Sequence, residues 1–204
     1  MKAILSLCMG YFIGCISPAK MISRRKHVNL KQEGTGNLGA TNTALVLGKK
    51  AGIVVLVFDI FKSYFAAKIA KIMFPHLAIA GLISSIGVLI GHCFPIFLRF
   101  QGGKALAAYG GLILAYDHWI FLVLLTLGTI LCFAFNYGVL MALTAGTLFP
   151  VAVLVTGGSW IEVALAAFAG GFIIFMHRDN FKKARNKQEI PVKEFFRRQF
   201  AKKK

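Results

Sequence analysis

Apolar residues dominate seven stretches of the chain, at roughly 3–23, 51–74, 77–98, 104–117, 119–136, 139–157 and 160–177, and polar residues gather in the segments between them. A membrane helix needs about 20 mostly apolar residues to cross the hydrocarbon core of a bilayer. The pattern therefore predicts an all-α integral membrane protein with about seven transmembrane helices in one bundle. The fourth stretch is short and contains Gly110 and Gly111, so a tilted or partial span is expected there. No convincing internal repeat is present, which weighs against a transporter built from two inverted halves. We read residues 1–204 as a single polytopic membrane domain, with 178–204 as a basic cytoplasmic tail.

The charged residues orient this bundle. Arg24, Arg25, Lys26, Lys31, Lys49 and Lys50 lie between the first two stretches, Arg99 and Lys104 between the third and fourth, and the tail is densely basic. The alternate loops, around Pro75-His76, Asp117-His118 and Thr156 to Trp160, carry no Lys or Arg. Cytoplasmic loops are the ones enriched in Lys and Arg, so seven spans place the N-terminus outside and the C-terminus in the cytoplasm. Lys68 and Lys71 run against this alternation and are expected to snorkel toward the outer interface.

Composition adds two exclusions. The hydrophobic fraction of 57% and mean hydropathy of +0.71 belong to a membrane protein rather than a soluble domain. The net charge of +17 lies mostly in interhelical loops and the tail, which points to topology and an anionic lipid surface rather than to nucleic acid. Phe195, Phe196 and Phe200 interleave with Lys and Arg, as suits a tail lying on anionic lipid. Cys8, Cys15, Cys93 and Cys132 form no C-x-x-C pair and lie in or beside apolar runs, so they read as packing thiols, with no metal site. Lys2, the apolar run after it and Ser17-Pro18-Ala19 resemble a signal peptide, but the many later spans favour an uncleaved first helix.

Candidate chemistry collects on the side assigned to the cytoplasm. Gly102, Gly103 and Lys104 combine backbone that can approach a ligand with a compact positive charge, and a helix starting just beyond would direct its N–H groups at the same anion. The plain alternative is a turn followed by a flanking charge. His92 lies in the same stretch, Gly91 to Ala108. In the first loop, Gly34, Thr35, Gly36, Asn37, Gly39, Thr41 and Asn42 offer unusual backbone angles, hydroxyls and amides, suited to phosphate or glycerol hydroxyls, or simply to a flexible turn. Asp59 and Lys62 share a helix face at i, i+3, which is either a local ion pair or part of a polar cavity. His177 and Asn180 stand one helical turn apart at the end of the last stretch and could reach one ligand together.

These stretches resemble the motifs of the bacterial acyl-phosphate:glycerol-3-phosphate acyltransferases, the PlsY family, which read approximately G-S-G-N-x-G-A-T-N, G-H-x-F-P-x-F-x-x-F-x-G-G-K, and H-R-x-N followed by an acid. Here they are GTGNLGATN at 34–42, GHCFPIFLRFQGGK at 91–104, and HRDN at 177–180 with Glu189. The resemblance implies transfer of a fatty acyl group from acyl phosphate to the sn-1 hydroxyl of glycerol 3-phosphate, giving lysophosphatidic acid in phospholipid biosynthesis. It implies no metal and no cofactor. It also implies a bacterial inner or plasma membrane with the active site facing the cytoplasm, and a functional partner that supplies acyl phosphate. Carried onto this sequence, His177, Asn180, Lys104 and Thr35 are expected to be catalytic. Gly34, Gly36, Asn37, Gly39, Thr41, Asn42, His92, Gly102 and Gly103 are expected to bind phosphate and glycerol. The chain departs from the pattern at Thr35 (serine), Leu45 (arginine), and Ala105 and Lys187 (both commonly glycine), and residues 136–142 lack the serines of relatives. Leu45 motivates a second reading, a non-catalytic paralogue that binds acyl phosphate or glycerol 3-phosphate; an anion transporter is a third.

Overall fold

The computed structural model describes residues 1–201, and among these it contains only helices and the segments joining them. The last three lysines of the tail and the side chains of Phe200 and Ala201 lie outside the described part. The chain divides into two compact units, 1–116 and 117–204, where the sequence reading takes one domain.

The first unit holds α1 (Lys2–Gly14), α2 (Pro18–Arg25), α3 (Ala40–Leu47), α4 (Lys49–Met73), α5 (Ala80–Cys93), a 3-10 turn at Ile96–Leu98, and α6 (Leu106–Tyr116). Pro18 explains the break between α1 and α2. It has no N–H to continue the α1 ladder, it disfavours helical backbone at Ser17, and it fits the first position of a new helix. Ser17 is extended and its hydroxyl accepts from Lys20 N at 3.3 Å.

Helix α1 lies along α5 through two facing pairs of glycines, Gly10 and Gly14 on one helix and Gly87 and Gly91 on the other. A Cβ at Gly10 would overlap the Ser84 carbonyl, and one at Gly91 the Tyr11 carbonyl. Glycines four apart let two backbones touch, and such close packing drives helix association where lipid supplies no hydrophobic contrast. On α4, Ile53, Val54, Val57, Phe61, Phe65 and Ile72 stay exposed while Asp59, Lys62 and Ser63 are buried. This apolar-out, polar-in pattern is that of a helix solvated by lipid.

The second unit contains α7 (His118–Phe135), α8 (Leu140–Val155), α9 (Trp160–Met176), α10 (Arg178–Arg185) and α11 (Val192–Ala201). Asp117 caps α7 by accepting from Ile120 N at 2.8 Å, and a Ser159/Glu162 capping box starts α9. Helices α8 and α9 approach closely at Gly146 and Gly170. The described part of the basic tail carries two helices: α10 bends 52° from α9, and α11 returns to α7. There Phe196 stacks on Phe133 with ring centroids 5.5 Å apart, while Asn136 accepts from Val192 N at 3.2 Å through its carbonyl and from Lys193 N at 2.9 Å through its side chain.

All seven stretches predicted as spans hold helices. By length and composition alone, three helices among the described residues qualify as membrane-crossing, Lys2–Arg25, Ala80–Leu98 and His118–Phe135, with a fourth if Trp160–Met176 is joined to Arg178–Arg185. The others fall short for separate reasons: α6 and α8 are short, and α4 is interrupted by Asp59, Lys62 and Lys68.

Candidate functional site

The first loop folds around Asn42. Its side chain is fully buried, and its amide nitrogen donates to the carbonyls of Leu30 at 2.9 Å, Asn37 at 3.0 Å and Glu33 at 3.1 Å. Its amide oxygen accepts from Thr35 N at 2.6 Å. Asn42 is thus the staple of the loop, because its hydrogen-bonding capacity is directed at the loop's own backbone. Gly34 has φ +61°, and a Cβ there would overlap Asn42 Oδ1, so this position requires glycine twice over. Beneath the loop, Ala19, Leu30, Leu38 and Val55 form a small apolar core.

The staple leaves Thr35 and Thr41 exposed, while Gly36, Asn37 and Gly39 are partly buried. Gly39 is the N-cap of α3; its carbonyl accepts from Thr43 N at 3.0 Å and from the Thr43 hydroxyl at 2.9 Å. Leu45 is half-buried on the same helix.

The second motif wraps the C-terminus of α5. Gly102 N donates to the Cys93 carbonyl and Gly103 N to the His92 carbonyl, both at 3.0 Å. The two glycine amides thus satisfy helix-terminal carbonyls that would otherwise lack partners. Their small size is what the fold uses, since a Cβ on Gly102 would overlap the His92 carbonyl and one on Gly103 the His92 ring. Lys104 follows, half-buried, then Ala105 at φ +59°, and α6 begins one residue later.

His92 is 7% exposed and belongs to a buried polar cluster rather than to an open surface. Lys62 Nζ lies 2.7 Å from Asp59 Oδ1 and donates to His92 Nδ1 at 2.9 Å, to the Ile16 carbonyl at 3.0 Å and to the Gly14 carbonyl at 3.3 Å. With Nδ1 accepting, Nε2 carries the proton of the neutral ring, and this edge packs against Gly103. The Asp59–Lys62 pair read from the i, i+3 spacing is present. Its third member, His92, has no sequence signal because it comes from another helix.

The two motifs meet. Lys31 Nζ donates to the Gly102 carbonyl at 3.1 Å, and the Leu38 carbonyl lies against Gly103, 2.8 Å from where a Cβ would stand. Sequence reasoning counted Lys31 only as a flanking charge.

In the second unit, His177 is 7% exposed and its Nδ1 bonds the Ile173 carbonyl at 2.9 Å. A carbonyl only accepts, so Nδ1 is the donor, and in the neutral imidazole the basic nitrogen is Nε2. Asn180 Nδ2 donates to Glu189 Oε1 at 3.2 Å, joining the two ends of the third motif.

Helices with apolar outer faces, whose polar residues gather in glycine-rich loops, at helix ends and in the buried cluster on α4, define an integral membrane protein. The chain belongs to the glycerol-3-phosphate acyltransferase family, whose model matches residues 4–187. It is 35% identical to a glycerol-3-phosphate acyltransferase of Bacillus cytotoxicus, with 96% of this chain and 97% of that protein covered, and 34% identical to one of Lactiplantibacillus plantarum, with 94% and 93% covered. It is also similar to the crystal structure of PlsY, an integral membrane glycerol 3-phosphate acyltransferase, in its glycerol 3-phosphate form: the TM-score is 0.87 at 26% identity, over 94% of this chain and 96% of that one. Against the lysophosphatidic acid form the TM-score is 0.85, over 96% and 99% of the two chains.

Proposed function

We propose that this protein transfers a fatty acyl group from acyl phosphate to the sn-1 hydroxyl of glycerol 3-phosphate. The observation that carries the reading is the meeting of the first two motifs at Lys31, Gly102 and Gly103, one residue from Lys104, in a member of this family. Substrate and product are those in which the similar PlsY was crystallised.

The hydroxyl oxygen of glycerol 3-phosphate attacks the acyl carbonyl carbon, the bond from that carbon to the phosphate oxygen breaks, and inorganic phosphate leaves with the electron pair. Acyl phosphate is a mixed anhydride with a good leaving group, so no side-chain nucleophile is required. His177 Nε2 accepts the hydroxyl proton. Lys104 offsets the charge of the departing phosphate, and Thr35 and Thr41 present hydroxyls from the exposed rim of the first loop. Asn180, held by Glu189, orients a substrate oxygen. Gly34, Gly39, Gly102 and Gly103 act by letting the loops pack, and His92 by seating Gly103.

The location that goes with this chemistry is the bacterial cell membrane, with seven spans, the N-terminus outside and the basic loops and active site in the cytoplasm. The distribution of Lys and Arg supports this orientation.

Leu45, in place of an arginine, favours a second reading in which the protein binds these substrates without turning them over, because leucine cannot form the bidentate contacts of a guanidinium. Transfer from palmitoyl phosphate to labelled glycerol 3-phosphate by purified protein in detergent separates the two. Product from the wild type, reduced at least tenfold in Lys104→Ala, is the expected result. Product only from Leu45→Arg would establish the second reading, and none from either would overturn the transfer reading.

A further inference from the structure

Lys31 stands where the first and second motifs join. Its carbonyl lies under Gly36 of the first motif, 3.2 Å from where a Cβ would stand, and its ammonium reaches the Gly102 carbonyl of the second at 3.1 Å. No carboxylate among the described residues pairs with it, although Glu33 is only two positions away. The residue stays exposed, and desolvation of its ammonium beside the loop pushes it down from its ordinary value. A cation in that state is stabilised by an anion.

The loop around it presents small, polar and glycine positions, and Lys104 follows Gly102 by two residues. Leu45, on the helix that the first loop enters, supplies no charge. We propose that Lys31 binds the phosphate of glycerol 3-phosphate, so that the first loop contributes its cation from before its glycines rather than from Leu45 after them. The choice of ligand rests on the acyl-transfer reading. In this arrangement Lys31 and Lys104 flank the Gly102-Gly103 turn, and a phosphate held by both bridges the two loops. An ammonium is a point charge on a flexible stem, so it can hold the Gly102 carbonyl and a phosphate oxygen together, with two of its three donors.

The test uses full-length protein in detergent and four chains: wild type, Lys31→Gln, Lys31→Arg and Lys50→Gln. Lys50, exposed in the first turn of α4, controls for loss of one positive charge from the same loop region. Binding of glycerol 3-phosphate is followed by calorimetric titration and transfer by product formation, with thermal unfolding recorded for each chain. Loss of one charge-assisted contact predicts a dissociation constant and KM for glycerol 3-phosphate raised about tenfold or more in Lys31→Gln, recovery in Lys31→Arg to within about threefold, and little change in Lys50→Gln. KM for acyl phosphate should move much less. A Lys31→Gln protein that melts earlier but binds glycerol 3-phosphate as the wild type does would overturn the proposal and leave Lys31 a clasp between loops. Equal weakening in Lys31→Gln and Lys50→Gln would overturn it in favour of general attraction. If the wild type binds glycerol 3-phosphate through Lys31 yet forms no product, the transfer reading fails while the inference stands; if it does not bind at all, the inference fails with it.

Discussion

Ala105 is buried with φ +59°, and Lys187 closes α10 with φ +55° while its N–H donates to the Ala184 carbonyl at 3.0 Å. Both stand where the resemblance leads one to expect glycine, and the backbone gives a physical reason: each occupies left-handed backbone, where a Cβ crowds the following carbonyl. The departures look mild in a sequence because alanine and lysine are small or solvated, but their cost lies in the backbone. Ala105→Gly should therefore raise stability by about 1 kcal/mol, less whatever is lost with the buried methyl. Thermal unfolding in detergent checks this, and a lower melting temperature would mean that the methyl contact dominates. Asn42 carries the opposite lesson. Thr35, Thr41 and Asn42 are the same kind of residue in a sequence, yet two face outward and one is fully buried. A polar side chain near glycines serves a ligand or the loop itself, and only the fold shows which way it turns.

At the scale of elements, the apolar runs were legible because hydrocarbon demands a long uninterrupted segment, and every predicted stretch became helical. What pairs the helices was less legible. The glycines of α1 and α5 repeat at a spacing of four, Gly10 to Gly14 and Gly87 to Gly91, a signal that could have been read before the fold was known. The cluster at Lys62 could not, since His92, Gly14 and Ile16 come from separate parts of the chain. That cluster makes a prediction about α4. Lys62→Met removes the nearer partner of Asp59, which is 1% exposed, and leaves it only His92 Nδ1 at 3.5 Å; breaking such a buried pair costs up to about 3–5 kcal/mol. Asp59→Leu combined with Lys62→Met removes both charges and should recover most of that loss. Unfolding of the single and double variants measures the difference. A double variant as unstable as the single would show that Lys62 acts through the α1 carbonyls instead.

For the whole molecule the open quantity is how many helices cross the membrane, and contacts inside each unit constrain it. Lys31 and Gly102 touch at 3.1 Å, so they share a side, and an even number of crossings separates them. If α5, long and apolar enough with its extension to Leu98, crosses, then α4 has to cross as well despite its charges. Asn136 and Lys193 touch at 2.9 Å, so α8 and α9 cross together or not at all, and α9 is the more apolar partner in that choice. The remaining helix is α6, about 16 Å long at 1.5 Å per residue, well short of a bilayer core of about 30 Å. Single cysteines reacted with an impermeant maleimide on intact and permeabilised cells decide it. With seven crossings His76→Cys, His118→Cys and Trp160→Cys react from outside, whereas Lys50→Cys and Lys193→Cys react only after permeabilisation. If α6 returns without crossing, His118→Cys and Trp160→Cys switch to the permeabilised pattern and Lys193→Cys to the outside, which would place the third motif across the membrane from the first two. That outcome would remove the proposed reaction as well as the topology, because Lys104 and His177 could not then serve one substrate.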